Sequence, residues 1–114
     1  SLVTPELNQM GQMMFRDNTK RMIEGQQTLI IAGLITTGKT MMQAIESVLY
    51  YGGRVNGICA AFSQVSKVAG MDINAVFTQK DVAGYEKYAN GDCPMCAAGQ
   101  KIDAFVNSFG HSSI

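Results

Sequence analysis

The sequence predicts an α/β domain built on a parallel sheet of three to four strands with a βαβ unit at its centre. Three observations predict it. Thr28 to Ile35, TLIIAGLI, is an apolar run of strand length with no alternation, the pattern of a parallel strand buried on both faces. Met41 to Tyr51 carries apolar residues at helical spacing and stops at Gly52-Gly53, a C-terminal helix signal. Arg54 to Ser63, RVNGICAAFS, is a second, nearly all-apolar run. Strand, helix and strand in that order imply a right-handed crossover.

The elements follow in chain order. Residues 1–27 read as an entry segment. Leu2-Val3 ends a short strand that Pro5 stops. Leu7 to Arg16 shows no clean period and reads as a loop. Asp17 to Ile23 reads as a short helix capped by Asp17 or Asn18. Residues 28–78 form the βαβ core. Its helix is expected to place Met41, Ala44, Ile45, Val48 and Leu49 on the sheet, with Gln43, Glu46 and Ser47 opposite. Ser63 to Met71 reads as a connection and Ile73 to Thr78 as a third strand. Residues 79–114 read as an irregular tail with one turn of helix around Asp81 to Tyr88. The whole of 1–114 is one domain on this reading.

Composition narrows the function. The 114 residues hold 9 Lys plus Arg and 9 Asp plus Glu, so the formal net charge is zero. A nucleic-acid binder driven by bulk electrostatics would be distinctly basic. Hydrophobic residues make up 46% and charged residues 16%, the reverse of a disordered chain. No apolar run reaches the ~18 residues of a membrane helix, and the first ten residues lack the order of a signal peptide. Three cysteines, an odd number, do not suit a secreted disulfide framework, so a reducing cytoplasm is expected.

The informative stretch is IIAGLITTGKTMM, Ile30 to Met42. A buried strand feeds a small-residue turn that opens a helix. Such a turn offers successive backbone N–H groups, and the helix N-terminus adds about half a positive charge. Thr36, Thr37 and Thr40 add hydroxyls, Lys39 a point charge, and Gly38 lets an anion approach the backbone. The chemistry is phosphate binding; the plain alternative is a strand-to-helix turn capped by Thr36 or Thr37. Gly33 to Thr40 also matches the nucleotide P-loop pattern G-x-x-x-x-G-K-[ST]. On that reading Lys39 contacts β and γ phosphates and Thr40 binds magnesium. Leu34-Ile35 continues the apolar run through the would-be loop, however, and no later strand ends in the Asp that would hold magnesium.

The same stretch resembles the phosphoribosyl diphosphate (PRPP) motif of type I phosphoribosyltransferases. That motif has four apolar residues, two acids, two further residues, then Thr-Thr-Gly with a hydroxyl residue nearby. Thr28 to Ile31 correspond to the apolar residues, Ala32-Gly33 to the acids, and Thr36 to Thr40 to the phosphate cradle. The tail CPMCAAGQKIDAFVNSFG resembles that of orotate phosphoribosyltransferase-like proteins. The segment FRDNTKRMIEGQQTLII sits where that family carries its mobile catalytic loop. The resemblance covers nearly all of this chain but only the C-terminal half of the family's domain, so an upstream part is expected before Ser1.

The resemblance implies a partial type I phosphoribosyltransferase fold and transfer of 5-phosphoribosyl from PRPP to a pyrimidine-type base. It implies magnesium held with PRPP, a phosphorylated ribose ligand (PRPP or a nucleoside 5′-monophosphate) and a homodimer, without nucleic acid or membrane. The family's acid pair holds the ribose hydroxyls, and Ala32 and Gly33 carry no acceptor side chain. A non-catalytic domain that binds a phosphorylated ligand or a partner is therefore the alternative, and a P-loop protein the third. The catalytic residues are left unassigned, and this chain alone is expected to be inactive.

Cys93-Pro94-Met95-Cys96 has C-x-x-C spacing. It reads as two free thiols packing a tail, as two zinc ligands with His111 as a third, or as a redox pair. The spacing supplies only two sulfur ligands and Cys59 sits mid-strand, so no zinc is expected. His111 reads as a solvated tail residue. Arg16, Lys20 and Arg21 can neutralise a departing pyrophosphate, or simply form a solvated loop face. Tyr50-Tyr51 are expected to pack on the sheet edge or a partner subunit.

Overall fold

Alternating burial along three long strands organises the first of two compact units, Ser1–Ala83 and Gly84–Ile114. A computed structural model describes residues 1–107 and 109–114. In the first unit β1 (Glu6–Leu7) and β2 (Met13–Met14) form a small hairpin, followed by α1 (Asp17–Lys20). Then come β3 (Gln27–Ile35), α2 (Lys39–Tyr50), β4 (Arg54–Ser63), β5 (Lys67–Val68), β6 (Met71–Thr78) and a 3₁₀ turn over Gln79–Asp81. The second unit holds α3 (Pro94–Ala97) and the hairpin of β7 (Ala104–Asn107) and β8 (Gly110–Ser113).

The expected parallel sheet of three to four strands, and the partial phosphoribosyltransferase architecture with it, is corrected. The described residues form eight strands in three sheets with three short helices. The central sheet is mixed, in the order β3-β4-β6-β5. Its β3–β4 and β4–β6 ladders are parallel and its β5–β6 ladder antiparallel. With the two separate hairpins, antiparallel pairings outnumber parallel ones. The physical reason lies in the 63–71 segment, read as a plain connection. Ala69 (φ 51°) and Gly70 (φ 75°) both take positive φ, which reverses the chain in two residues and folds Lys67-Val68 back onto Met71-Asp72.

In register across β3, β4 and β6 lie Ile30, Ile58 and Ile73, then Ala32, Ala60 and Ala75. These share one core with Met41 and Ala44 of α2, Ile45, Ile35 and Val68, and Ile58 is fully buried. The opposite face is open, which corrects the expectation of burial on both sides. Leu29 is 54% exposed, Ile31 70% and Val76 74%. A continuous apolar run therefore marks a strand here without a second covering layer among the described residues.

Helix α2 buries Met41, Ile45 and Val48, spaced i, i+4, i+7 along one stripe. Two expectations fail. Leu49 is exposed, and Ser47 is buried instead. The cause is the N-terminal segment beside the helix: Ser47 Oγ donates to the Met13 carbonyl at 3.0 Å. The helix ends in a Schellman motif, with Gly52 N–H donating to Leu49 O and Gly53 N–H to Val48 O.

The termini of the elements also depart from expectation. No strand forms at Leu2-Val3; β1 lies after Pro5, and the 7–16 segment read as a loop holds β2. Helix α1 is one turn, with Arg16 at its N-cap and no side-chain cap. Beyond the 3₁₀ turn no helix forms over 82–88. The tail read as irregular contains α3 and a hairpin, whose turn is held by Phe109 N–H donating to Asn107 Oδ1 at 2.9 Å.

Candidate functional site

The TTGKT turn links the C-terminal end of β3 to the N-terminus of α2. Thr36 is half-buried, Gly38 buried, and Thr37, Lys39 and Thr40 exposed. Neither Thr36 nor Thr37 caps the helix. Gly38 is the N-cap, left-handed at φ 79°, and no side chain bonds to the first turn as a cap. The Lys39 N–H makes a long bond to Thr37 Oγ1 at 3.4 Å, tightening the turn. Helix geometry leaves the N–H groups of Thr40 and Met41 without an intrahelical acceptor, while that of Lys39 is engaged by Thr37 Oγ1. Lys39 has no ion-pair partner among the described residues. The turn and first helical residues thus carry N–H donors, the exposed Thr37 and Thr40 hydroxyls and one exposed cation, a set that suits an anion.

Ala32 and Gly33 stand three to four residues upstream, inside β3. Gly33 is a strand residue, so the Gly33 to Thr40 stretch is not one continuous phosphate loop. Both residues line a shallow apolar concavity with Ile31, Cys59 to Ala61 and Asn74 to Val76. No carboxylate lines it. Asp81, just past β6, accepts bonds from the Thr78 N–H and hydroxyl at 2.7 and 2.9 Å. Those two bonds hold its carboxyl below the usual carboxylate range. Asp72 pairs with Lys67 at 3.5 Å.

The other sequence candidates fall elsewhere. Arg16 is engaged by Glu6 through two bonds of 2.6 and 3.0 Å. Lys20 and Arg21 are exposed on and just after α1. Tyr51 meets Phe15 edge-to-face at 5.4 Å, while Tyr50 is exposed. His111 is exposed in β8, opposite Val106. Cys59, Cys93 and Cys96 are free. Among the described residues no three His, Cys, Asp or Glu side chains are grouped to hold a metal. The buried Ser47 escaped the sequence reading; its only signal was a hydroxyl flanked by Glu46 and Val48 on an amphipathic helix.

No protein-family model matches the chain, and a search of curated proteins finds no match. No described helix is long and apolar enough to cross a membrane.

Proposed function

We propose that the Thr36 to Thr40 turn binds the 5′-phosphate of a phosphorylated ribose, PRPP or a nucleoside 5′-monophosphate. The observation that carries this reading is the uncapped start of α2. Gly38, which has no side chain to cap with, occupies its N-cap, and Thr37, Lys39 and Thr40 beside it are exposed. A phosphate monoester would accept the N–H groups of that helix start in charge-assisted bonds worth roughly 1.5–3 kcal/mol each. The wider role proposed is phosphoribosyl transfer to a pyrimidine-type base, with magnesium carried by PRPP and pyrophosphate released, in the cytoplasm. It rests on the resemblance of TLIIAGLITTGKT to the PRPP motif.

A second reading is binding without turnover. Ala32 and Gly33 favour it, because the concavity they line holds no carboxylate for the ribose hydroxyls.

Calorimetric titration of the chain with ribose 5-phosphate, PRPP and ATP, each with and without magnesium, separates these readings. Binding of ribose 5-phosphate that weakens in Thr37→Ala and Lys39→Ala supports the cradle. Pyrophosphate release from PRPP and orotate favours transfer over silent binding. Tight magnesium-dependent ATP binding with no response to ribose 5-phosphate or PRPP overturns the proposal in favour of a nucleotide P-loop.

A further inference from the structure

We propose that Cys93 and Cys96 form a reversible dithiol–disulfide site, with Cys93 as the attacking thiol and Cys96 as the resolving one. Both sit on a single turn at α3, which the Ala97 N–H closes by donating to the Cys93 carbonyl at 3.0 Å. The two positions are not equivalent. Cys93 lies outside the helix in an extended conformation (φ −75°, ψ 116°), with Pro94 following it at the helix start. Cys96 lies within the helix. Residues three apart on a helix stand about 5–6 Å apart at Cβ, too far for the roughly 3.5–4.5 Å of a disulfide. An extended first residue is free of that restriction and can swing its sulfur toward the second.

Local electrostatics add a polarity to this geometry. The adjacent backbone and thiol of Cys96, with a smaller contribution from the Met95 backbone, lower the Cys93 thiol pKa. The same contact raises that of Cys96, which must lose its proton beside a developing negative charge. The thiolate is the nucleophile in exchange, so the first attack falls to Cys93. Cys93 is half-buried and Cys96 exposed, leaving the site open to small molecules.

The co-reactant is a low-molecular-weight disulfide, RSSR. Cys93 thiolate attacks one of its sulfurs, forming Cys93–S–S–R and expelling RS⁻, which takes up a proton. Cys96 gives its proton to solvent and attacks Cys93 sulfur. The mixed disulfide breaks, the Cys93–Cys96 bond forms, and a second RS⁻ leaves. Two protein thiols are oxidised and one RSSR is reduced to two RSH.

The test uses the full reduced chain and oxidised glutathione, followed by alkylation and peptide mass measurement. The Cys93–Cys96 peptide of the wild type should lose two hydrogens and regain them with dithiothreitol. Cys96→Ser should accumulate glutathione on Cys93. Cys93→Ser should take it up on Cys96 and form no intramolecular disulfide. Limited alkylation of the unmutated chain should mark Cys93 before Cys96, a readout independent of any folding defect in the variants. Persistence of both thiols in excess oxidised glutathione overturns the proposal. So does equal or faster reaction at Cys96.

Discussion

A β-carbon placed on Gly38 would stand 2.7 Å from Val68 Cγ2, so the turn that opens α2 and the short strand β5 meet with no room for a side chain. Gly38 also has φ 79°, where an L-residue is strained. The two effects are separable. Gly38→Ala should lose about 1–2 kcal/mol to the left-handed conformation, and about 1–3 kcal/mol more to overpacking. Val68→Ala in the same chain should recover the second part only. Urea unfolding of the two single variants and the double variant measures the coupling; strict additivity would show that the contact does not limit packing there.

The helix face makes a sharper test than its spacing alone. Ile45 is buried and Leu49, four residues on, is 57% exposed. Ile45→Ala should destabilise by about 2–5 kcal/mol, and Leu49→Ala by no more than about 0.5 kcal/mol. Comparable losses at the two positions, measured by denaturant midpoints, would mean that α2 sits rotated from the placement described.

Ser47 tethers α2 to the segment before α1 through the Met13 carbonyl. Ser47→Ala should cost about 0.5–1.5 kcal/mol, the net worth of one such bond. Hydrogen exchange should quicken around Met13 and Met14 more than in β4. Unchanged exchange at Met13 and Met14 would place the tether's contribution at nil.

The phosphoribosyl reading predicts a gain of function. A β-carbon on Gly33 meets nothing within 4 Å, so a carboxylate there has space. Gly33→Asp should improve PRPP binding by about tenfold or more, through hydrogen bonds to the ribose hydroxyls. Ribose 5-phosphate, held by the same cradle, should also gain. Inorganic phosphate should not. Equal changes for all three would detach Gly33 from the ribose.

Acid weakens one local device. The Asp81 carboxyl is held low by the Thr78 N–H and hydroxyl. A depressed folded-state pKa contributes stability above the unfolded value of about 3.9. That contribution disappears as pH falls through the lower folded value. The stability difference between wild type and Asp81→Asn should therefore be constant above about pH 5 and shrink below pH 4. A difference that grows on acidification would contradict the hydrogen bonds to Thr78.

What the sequence by itself determined is local. Strand Arg54–Ser63, the helix after TTGKT and its Gly52-Gly53 stop follow from apolar runs, 3.6-residue spacing and the demand for positive φ at a helix C-terminus. The turn between β3 and α2 at Thr36 to Gly38 was legible for the same reason, since its residues are contiguous in the chain. Only tertiary structure decided the antiparallel edge made by β5 and which faces are covered. An apolar run such as Ile30-Ile31 reads alike whether one or both of its faces are buried, yet Ile30 is buried and Ile31 open. The Ala69-Gly70 reversal was invisible because alanine seldom takes positive φ, and a hairpin had to hold it there. Ser47 became a core residue only because Met13, 34 positions earlier, offered a carbonyl. Long-range partners set burial and pairing, and no window of sequence short enough to show periodicity contains them.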